Sequence, residues 1–248
     1  MRNEKDMLHK YPRLFKMAPP LYIIFRGVRS FLQNLKYLLR NFRYITFIHP
    51  KPNIRQEHRK ITSKIKSLKN EQGWPISYNT SLFLYNFVRT KQPNLVLETG
   101  VSTGYSTRII LEAMNVNKRG KLYSVEISYN VGELLGDIDR SKWKLVVGKP
   151  REGLTDALRT LDNIDVFVHD SDHSKGNMLF EFEESIKKIA SGGFIMSDDI
   201  NENNAFLEFC KNLRKIDPRV KLKIIPGFGH SFGYIQIPDI KKVNQQSL

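Results

Sequence analysis

The stretch that most limits what this chain can fold into runs Leu95-Val96-Leu97-Glu98-Thr99-Gly100-Val101-Ser102-Thr103-Gly104-Tyr105-Ser106-Thr107. An apolar run ends in an acid, passes two glycines with Ser102 midway between them, and enters a helical pattern. That order predicts a strand, a tight turn and a helix N-terminus, the arrangement with which α/β folds hold a nucleotide-like ligand. Small residues let the backbone approach a bulky ligand, and glycine also supplies positive φ where the turn needs it. Glu98, at the strand end, is expected to offer an acceptor to a cationic or hydroxylated group. An ordinary βα turn can carry the same glycines, so the rest of the chain has to decide.

From Gly73 onward, strand-like runs alternate with helical patterns. Strands are predicted at 94–98, 121–125, 143–147, 164–168, 194–196, 221–225 and 232–237. Helices are predicted at 80–89, 106–114, 152–161, 177–189 and 203–216, with a turn at Ser191-Gly192-Gly193. Such alternation implies a seven-stranded, mostly parallel sheet with helices on both faces and an antiparallel end. In that architecture the C-terminal strand ends share one edge, where ligands bind. Glu98, Glu126, Asp170, Asp172, Asp198 and Asp199 all fall there. Glu126 lies 28 residues after Glu98, somewhat beyond the usual spacing of a ribose-binding carboxylate, yet at the tip of the neighbouring strand it can accept from both ribose hydroxyls; a solvated strand-end acid is the plainer reading.

Gathering carboxylates costs repulsion unless cations offset it. Hard oxygen donors favour Mg²⁺, Mn²⁺ or Ca²⁺, and Asp170, Asp198 and Asp199 make a candidate three-oxygen site. The alternative is that Asp199 caps the segment after it. His173 is embedded in the same acidic group, as is His169. Carboxylate neighbours are expected to raise the pKa of His173, and a base titrating near neutrality suits removal of a proton from an alcohol. A satisfied strand-end histidine is the plainer reading of either.

Charge divides the chain. Of the net +15, residues 1–70 hold 17 Lys and Arg against 3 Asp and Glu, hence +14, and residues 71–248 hold 23 against 22, hence +1. The basicity therefore marks an N-terminal extension, 1–70, ahead of an electrically balanced domain, 71–248. Leu21 to Ile48 is predicted as one basic amphipathic helix, apolar at helical spacing but too interrupted by charge to span a bilayer. It suits an anionic membrane surface, or equally a face of the domain or of a partner subunit, with RNA a lesser option. A second helix, Asn53 to Lys69, has a thin apolar stripe and is expected to be well exposed. Cys210 is the single cysteine, so no intrachain disulfide forms, and with no signal-peptide pattern in the first 17 residues a reducing, cytoplasmic setting is expected, with attachment to the inner membrane surface if the helix meets lipid.

Taken together, Glu98-Thr-Gly100-Val-Ser102-Thr-Gly104-Tyr-Ser106, then Val125-Glu126, then Asp170-Ser-Asp-His173, then Gly192-Gly193-Phe-Ile-Met-Ser-Asp198-Asp199 resembles the class I S-adenosylmethionine-dependent methyltransferases. The nearer likeness is to small metal-dependent O-methyltransferases and to a related group from bacterial biosynthetic clusters, over about residues 73 to 237. The resemblance implies a Rossmann-like fold, with Glu98, Gly100, Ser102, Gly104 and Ser106 around the methionine part of the cofactor and Glu126 on its ribose. It implies Mg²⁺ or another divalent cation on Asp170, Asp198 and Asp199, although those relatives carry Asn where Asp199 stands. His173 occupies the position of their lysine base, and Lys149 a position where many of them have an acid near the adenine. The expected reaction is methyl transfer to a hydroxyl of a small molecule, a sugar or a lipid-linked acceptor, in a chain that can form a homo-oligomer. A non-catalytic cofactor-binding or membrane-associated assembly protein is the alternative. An RNA methyltransferase is disfavoured, since no Asn-Pro-Pro-Tyr-like tetrad is present.

Overall fold

The computed structural model describes residues 19–68 and 76–238, with side chains from Gly27 on. The expected boundary at residues 70 and 71 lies outside the described residues. In chain order the elements are α1 (Pro19–Arg40), α2 (Pro52–Leu68), α3 (Tyr78–Lys91), β1 (Leu95–Thr99), α4 (Tyr105–Asn117), β2 (Lys121–Glu126) and β3 (Trp143–Val147). They continue as α5 (Glu152–Thr160), β4 (Ile164–His169), α6 (Lys175–Ser185), β5 (Ile189–Ser197), α7 (Ala205–Ile216), β6 (Leu222–Pro226) and β7 (Ser231–Gln236).

The strands form one seven-stranded sheet in the order β3-β2-β1-β4-β5-β7-β6. β1 to β5 run parallel, and β7 is antiparallel to both β5 and β6. Successive strand residues point to opposite faces, so each buried strand feeds two cores. Val96, Val166 and Met196 pack with α2, α3 and α4, while Leu97, Phe167 and Ile195 pack with α5, α6 and α7. This is the expected sheet with helices on both faces.

Three local expectations are corrected. The helix expected over 21–48 ends at Arg40; a single 3-10 turn (Phe42–Tyr44) follows, and Ile45 then bridges to Ile224 while Thr46 N donates to Ile224 O at 2.8 Å. Leaving the helix lets this segment satisfy backbone groups on the sheet's edge strand. Helix α2 is exposed along its outer side, as expected, but its inner stripe is fully engaged: Ile54, His58, Ile61, Thr62 and Ile65 are buried against the domain. Its two polar members conceal the stripe, because His58 Nε2 pairs with Ser81 Oγ at 2.8 Å and Thr62 Oγ1 donates to Arg59 O. Glu57, on the same helix, accepts from Tyr85 Oη at 2.9 Å and from Arg89 Nε at 3.0 Å. Finally, Gly192 and Gly193 lie within β5 rather than in a turn, where the β4–β5 register shifts.

Candidate active site

The C-terminal ends of β1, β2, β4 and β5 are drawn together by backbone bonds. Gly100 N donates to Val125 O, Asp170 N to Thr99 O and Asp198 N to His169 O, each at 2.9 Å. The turn after β1 closes against β4. Gly100 has φ +86°, and a Cβ there would lie 2.0 Å from Asp170 O, so only glycine fits. Gly104, also at φ +86°, begins α4 and packs on Gly132, whose N donates to Ser102 O at 2.9 Å. Ser102 itself is left-handed, with φ 47°.

Glu98 does not face the open side of this turn. Its carboxylate is fully buried and accepts from Ser106 Oγ at 2.6 Å, Thr107 Oγ1 at 2.7 Å and Ser124 Oγ at 2.9 Å. Burial raises its pKa against those hydroxyls, which lower it. Glu98 and Ser106 thus clamp β1, α4 and β2 from behind. Glu126 stands at the open side, with Oε2 accepting from Val101 N at 2.9 Å and Ser102 N at 3.1 Å. A carboxylate can lie on these loop amides because they point outward as a small anion-holding concavity.

Across the edge lie Asp170, His173, Asp198 and Asp199. His173 Nε2 is 3.8 Å from Asp170 Oδ1, and its Nδ1 is 3.9 Å from Asp199 Oδ2. These are approaches, not hydrogen bonds, and His173 Nε2 is buried without a partner among the described residues. Contrary to the expected rise, the His173 pKa lies below its ordinary value. Burial and then the neighbouring His169 imidazole outweigh Asp199, Asp172 and Glu181, which pull the other way. The two imidazoles meet edge to face, with centroids 5.2 Å apart. His169 is in turn held by Glu181, whose Oε2 lies 2.7 Å from His169 Nδ1 and 2.5 Å from Thr99 Oγ1. Burial pushes the Glu181 pKa up, but its bonds to His169, Thr99 and Ser171 bring it below the ordinary value.

Asp172 turns away and accepts from Ser174 Oγ at 2.6 Å. Asp198 is buried, with Oδ1 lacking a partner among the described residues; desolvation and then Asp199 push its pKa up to about 7. Desolvation in the cleft, followed by Asp198, raises that of Asp170 well above the carboxylate range. Asp199 is engaged by a residue that nothing local in the sequence marked. His230, at the end of the β6–β7 loop, brings Nδ1 to 2.5 Å from Asp199 Oδ1, and this bond raises the His230 pKa. Only the order β5-β7-β6 brings the two together, 31 residues apart in the chain.

The three aspartates do not fit a metal centre as they stand. Asp199 is committed to His230, and among the described residues no three His, Cys, Asp or Glu side chains are grouped to hold an ion. Lys149 lies on the exposed rim, 3.9 Å from Glu152.

The parallel sheet with its antiparallel end, and the glycine turn facing an acid on the next strand, meet a matching family model. Residues 97–200 match a model described as a methyltransferase domain. Over those residues the chain is similar to methyltransferase domains, and its sheet order is Rossmann-like. The chain is similar in fold to three solved structures. The cofactor-bound protein Rv0187 from MTB is 17% identical, with 74% of this chain and 90% of that one covered at a TM-score of 0.55. The O-methyltransferase TomG from Streptomyces achromogenes, involved in tomaymycin synthesis and solved with SAM, is 14% identical over 86% and 98% of the two chains, at 0.53. The MycE methyltransferase of the mycinamycin biosynthetic pathway, solved with Mg, SAH and mycinamycin VI, is 15% identical over 75% and 56%, at 0.54. A search of curated proteins by sequence gives no match.

Proposed function

We propose that the chain moves a methyl group from S-adenosylmethionine to a hydroxyl of a small molecule or glycan, with His173 as the proton acceptor. The observation that carries this is a buried imidazole nitrogen without a partner, beside Asp170 and on the same sheet edge as the glycine turn. Gly100, Ser102 and Gly104 keep the turn small enough for the methionine part of the cofactor, and Glu126 is positioned to accept from the ribose hydroxyls. The bound cofactor supplies an electrophilic methyl on a sulfonium. His173, with its pKa lowered by burial, is unprotonated near neutrality and able to act as a base. The hydroxyl proton of the acceptor would pass to His173 Nε2 as its oxygen takes the methyl group, the carbon–sulfur electron pair staying on the sulfur of the donor. The Glu181–His169 pair, packed edge to face on His173, positions that ring. No step runs through a metal, since Asp199 is bonded to His230.

Calorimetry with S-adenosylmethionine tests the donor, and the absence of binding would overturn the whole assignment. His173→Ala is expected to bind the cofactor as the parent does while losing turnover roughly a hundred- to ten-thousandfold. Full turnover in that variant would remove His173 from the reaction. Chelator is expected to leave turnover unchanged; a saturable requirement for added Mg²⁺ would show that His230 yields Asp199 to a cation.

A further inference from the structure

Helix α1 rests on the domain by one side only. Asn34 is 2% exposed; its Nδ2 donates to Gly227 O at 2.8 Å and its Oδ1 accepts from Ser231 Oγ at 2.6 Å. Ser30 Oγ donates to Gly229 O at 3.0 Å. Among the described residues nothing covers the opposite side. Val28, Leu32, Leu35 and Leu39 recur at steps of four, three and four, which is one helix face, and are 51%, 56%, 41% and 67% exposed. Arg29, Lys36 and Arg40, all exposed, run beside that row. Phe31 stacks on Phe228 with centroids 5.1 Å apart, and Phe228 is 76% exposed, so the apolar surface continues onto the loop that holds His230.

Charge chooses among the occupants. A second copy docked through this face would bring two basic stripes together, and residues 1–70 already carry +14. A nucleic acid would meet the arginines and leave the leucine row in water. A layer that is apolar inside and anionic at its surface satisfies both rows at once, with the leucines below the headgroups and the cations at the phosphates. Among the described residues no helix is long and apolar enough to cross a membrane, so the helix would lie on the surface. We propose that the outward face of α1 docks the chain onto an anionic lipid bilayer.

The test uses the full chain and vesicles of phosphatidylcholine alone or mixed with phosphatidylglycerol, without cofactor, so it stands apart from the methyl-transfer assignment. Co-sedimentation is expected with the mixed vesicles, weakened by salt, and not with the neutral ones. Replacing Arg29, Lys36 and Arg40 together by Gln should weaken binding about a hundredfold, at roughly fivefold per charge. Replacing Leu32, Leu35 and Leu39 together by Gln should abolish it while the melting temperature holds, because these side chains are exposed. Absence of vesicle binding, or binding unchanged in both variants, overturns the proposal. Light scattering that shows a dimer dissociated by the leucine variant, without vesicle binding, would assign the face to a second copy. Salt-sensitive capture by RNA without vesicle binding would assign it to nucleic acid.

Discussion

Two buried titratable residues give the chain opposite responses to pH. His58 is sealed in α2 and burial lowers its pKa to about 4. The unfolded chain therefore binds a proton there that the folded chain refuses, and His58 makes stability fall as pH drops from about 6.5 towards about 4. Asp198 does the reverse. Desolvation and Asp199 raise it to about 7, so the folded chain holds a proton that the unfolded chain releases, and stability is lost as pH rises from about 4 through about 7. Melting temperatures measured across this range should show that His58→Gln flattens the acid side, whereas Asp198→Asn gains most near neutrality. If both variants simply shift the parent profile up or down without changing its shape, neither group carries the pH response.

At the scale of elements, the turn between β1 and α4 has the tightest glycine position among the described residues. Gly100→Ala would impose a side chain at φ +86° and drive its Cβ into Asp170 O. The left-handed backbone alone costs about 1–2 kcal/mol, and relieving the clash must separate the ends of β1 and β4. Cofactor binding is expected to be lost together with several degrees of melting temperature; calorimetry showing parental affinity would mean that the turn does not form the donor site. This turn was legible in the sequence because strand, glycines and helix are contiguous and each follows its own period. The strand-end acids were legible for a related reason, since a parallel sheet puts all such ends on one edge. His230 was not, because its approach to Asp199 depends on β7 inserting between β5 and β6, which no local pattern records. The orientation of Glu98 also escaped, as its three hydroxyl partners come from two different elements, α4 and β2. Gly192 and Gly193 read as a turn because glycine is rare in strands, yet here they accommodate the register shift between β4 and β5.

For the whole molecule, the charge step near residue 70 and the packing give different outlines. Composition separates a basic segment from a balanced domain, but α2 lies on the basic side of that step and still fills the core. Ile54 and Ile65 are 5% and 3% exposed and belong to the same cluster as Val96, Ile110 and Met114. Basic residues can line an exposed face of a core helix without affecting what its other face buries, so a change in charge is no guide to where a cooperative unit begins. If α2 is integral, Ile65→Ala should cost about 2–5 kcal/mol, the range for emptying a buried aliphatic site, and chemical denaturation should keep one transition with the slope of the parent. An appended helix would instead give a loss within about 0.5 kcal/mol, or a separate early transition seen by a probe on α2 and not by one on the sheet. The comparison also bears on α1. Its docking bonds from Ser30 and Asn34 end on the β6–β7 loop, so a domain that includes α2 carries α1 at a fixed place beside His230, with its leucine row turned outward.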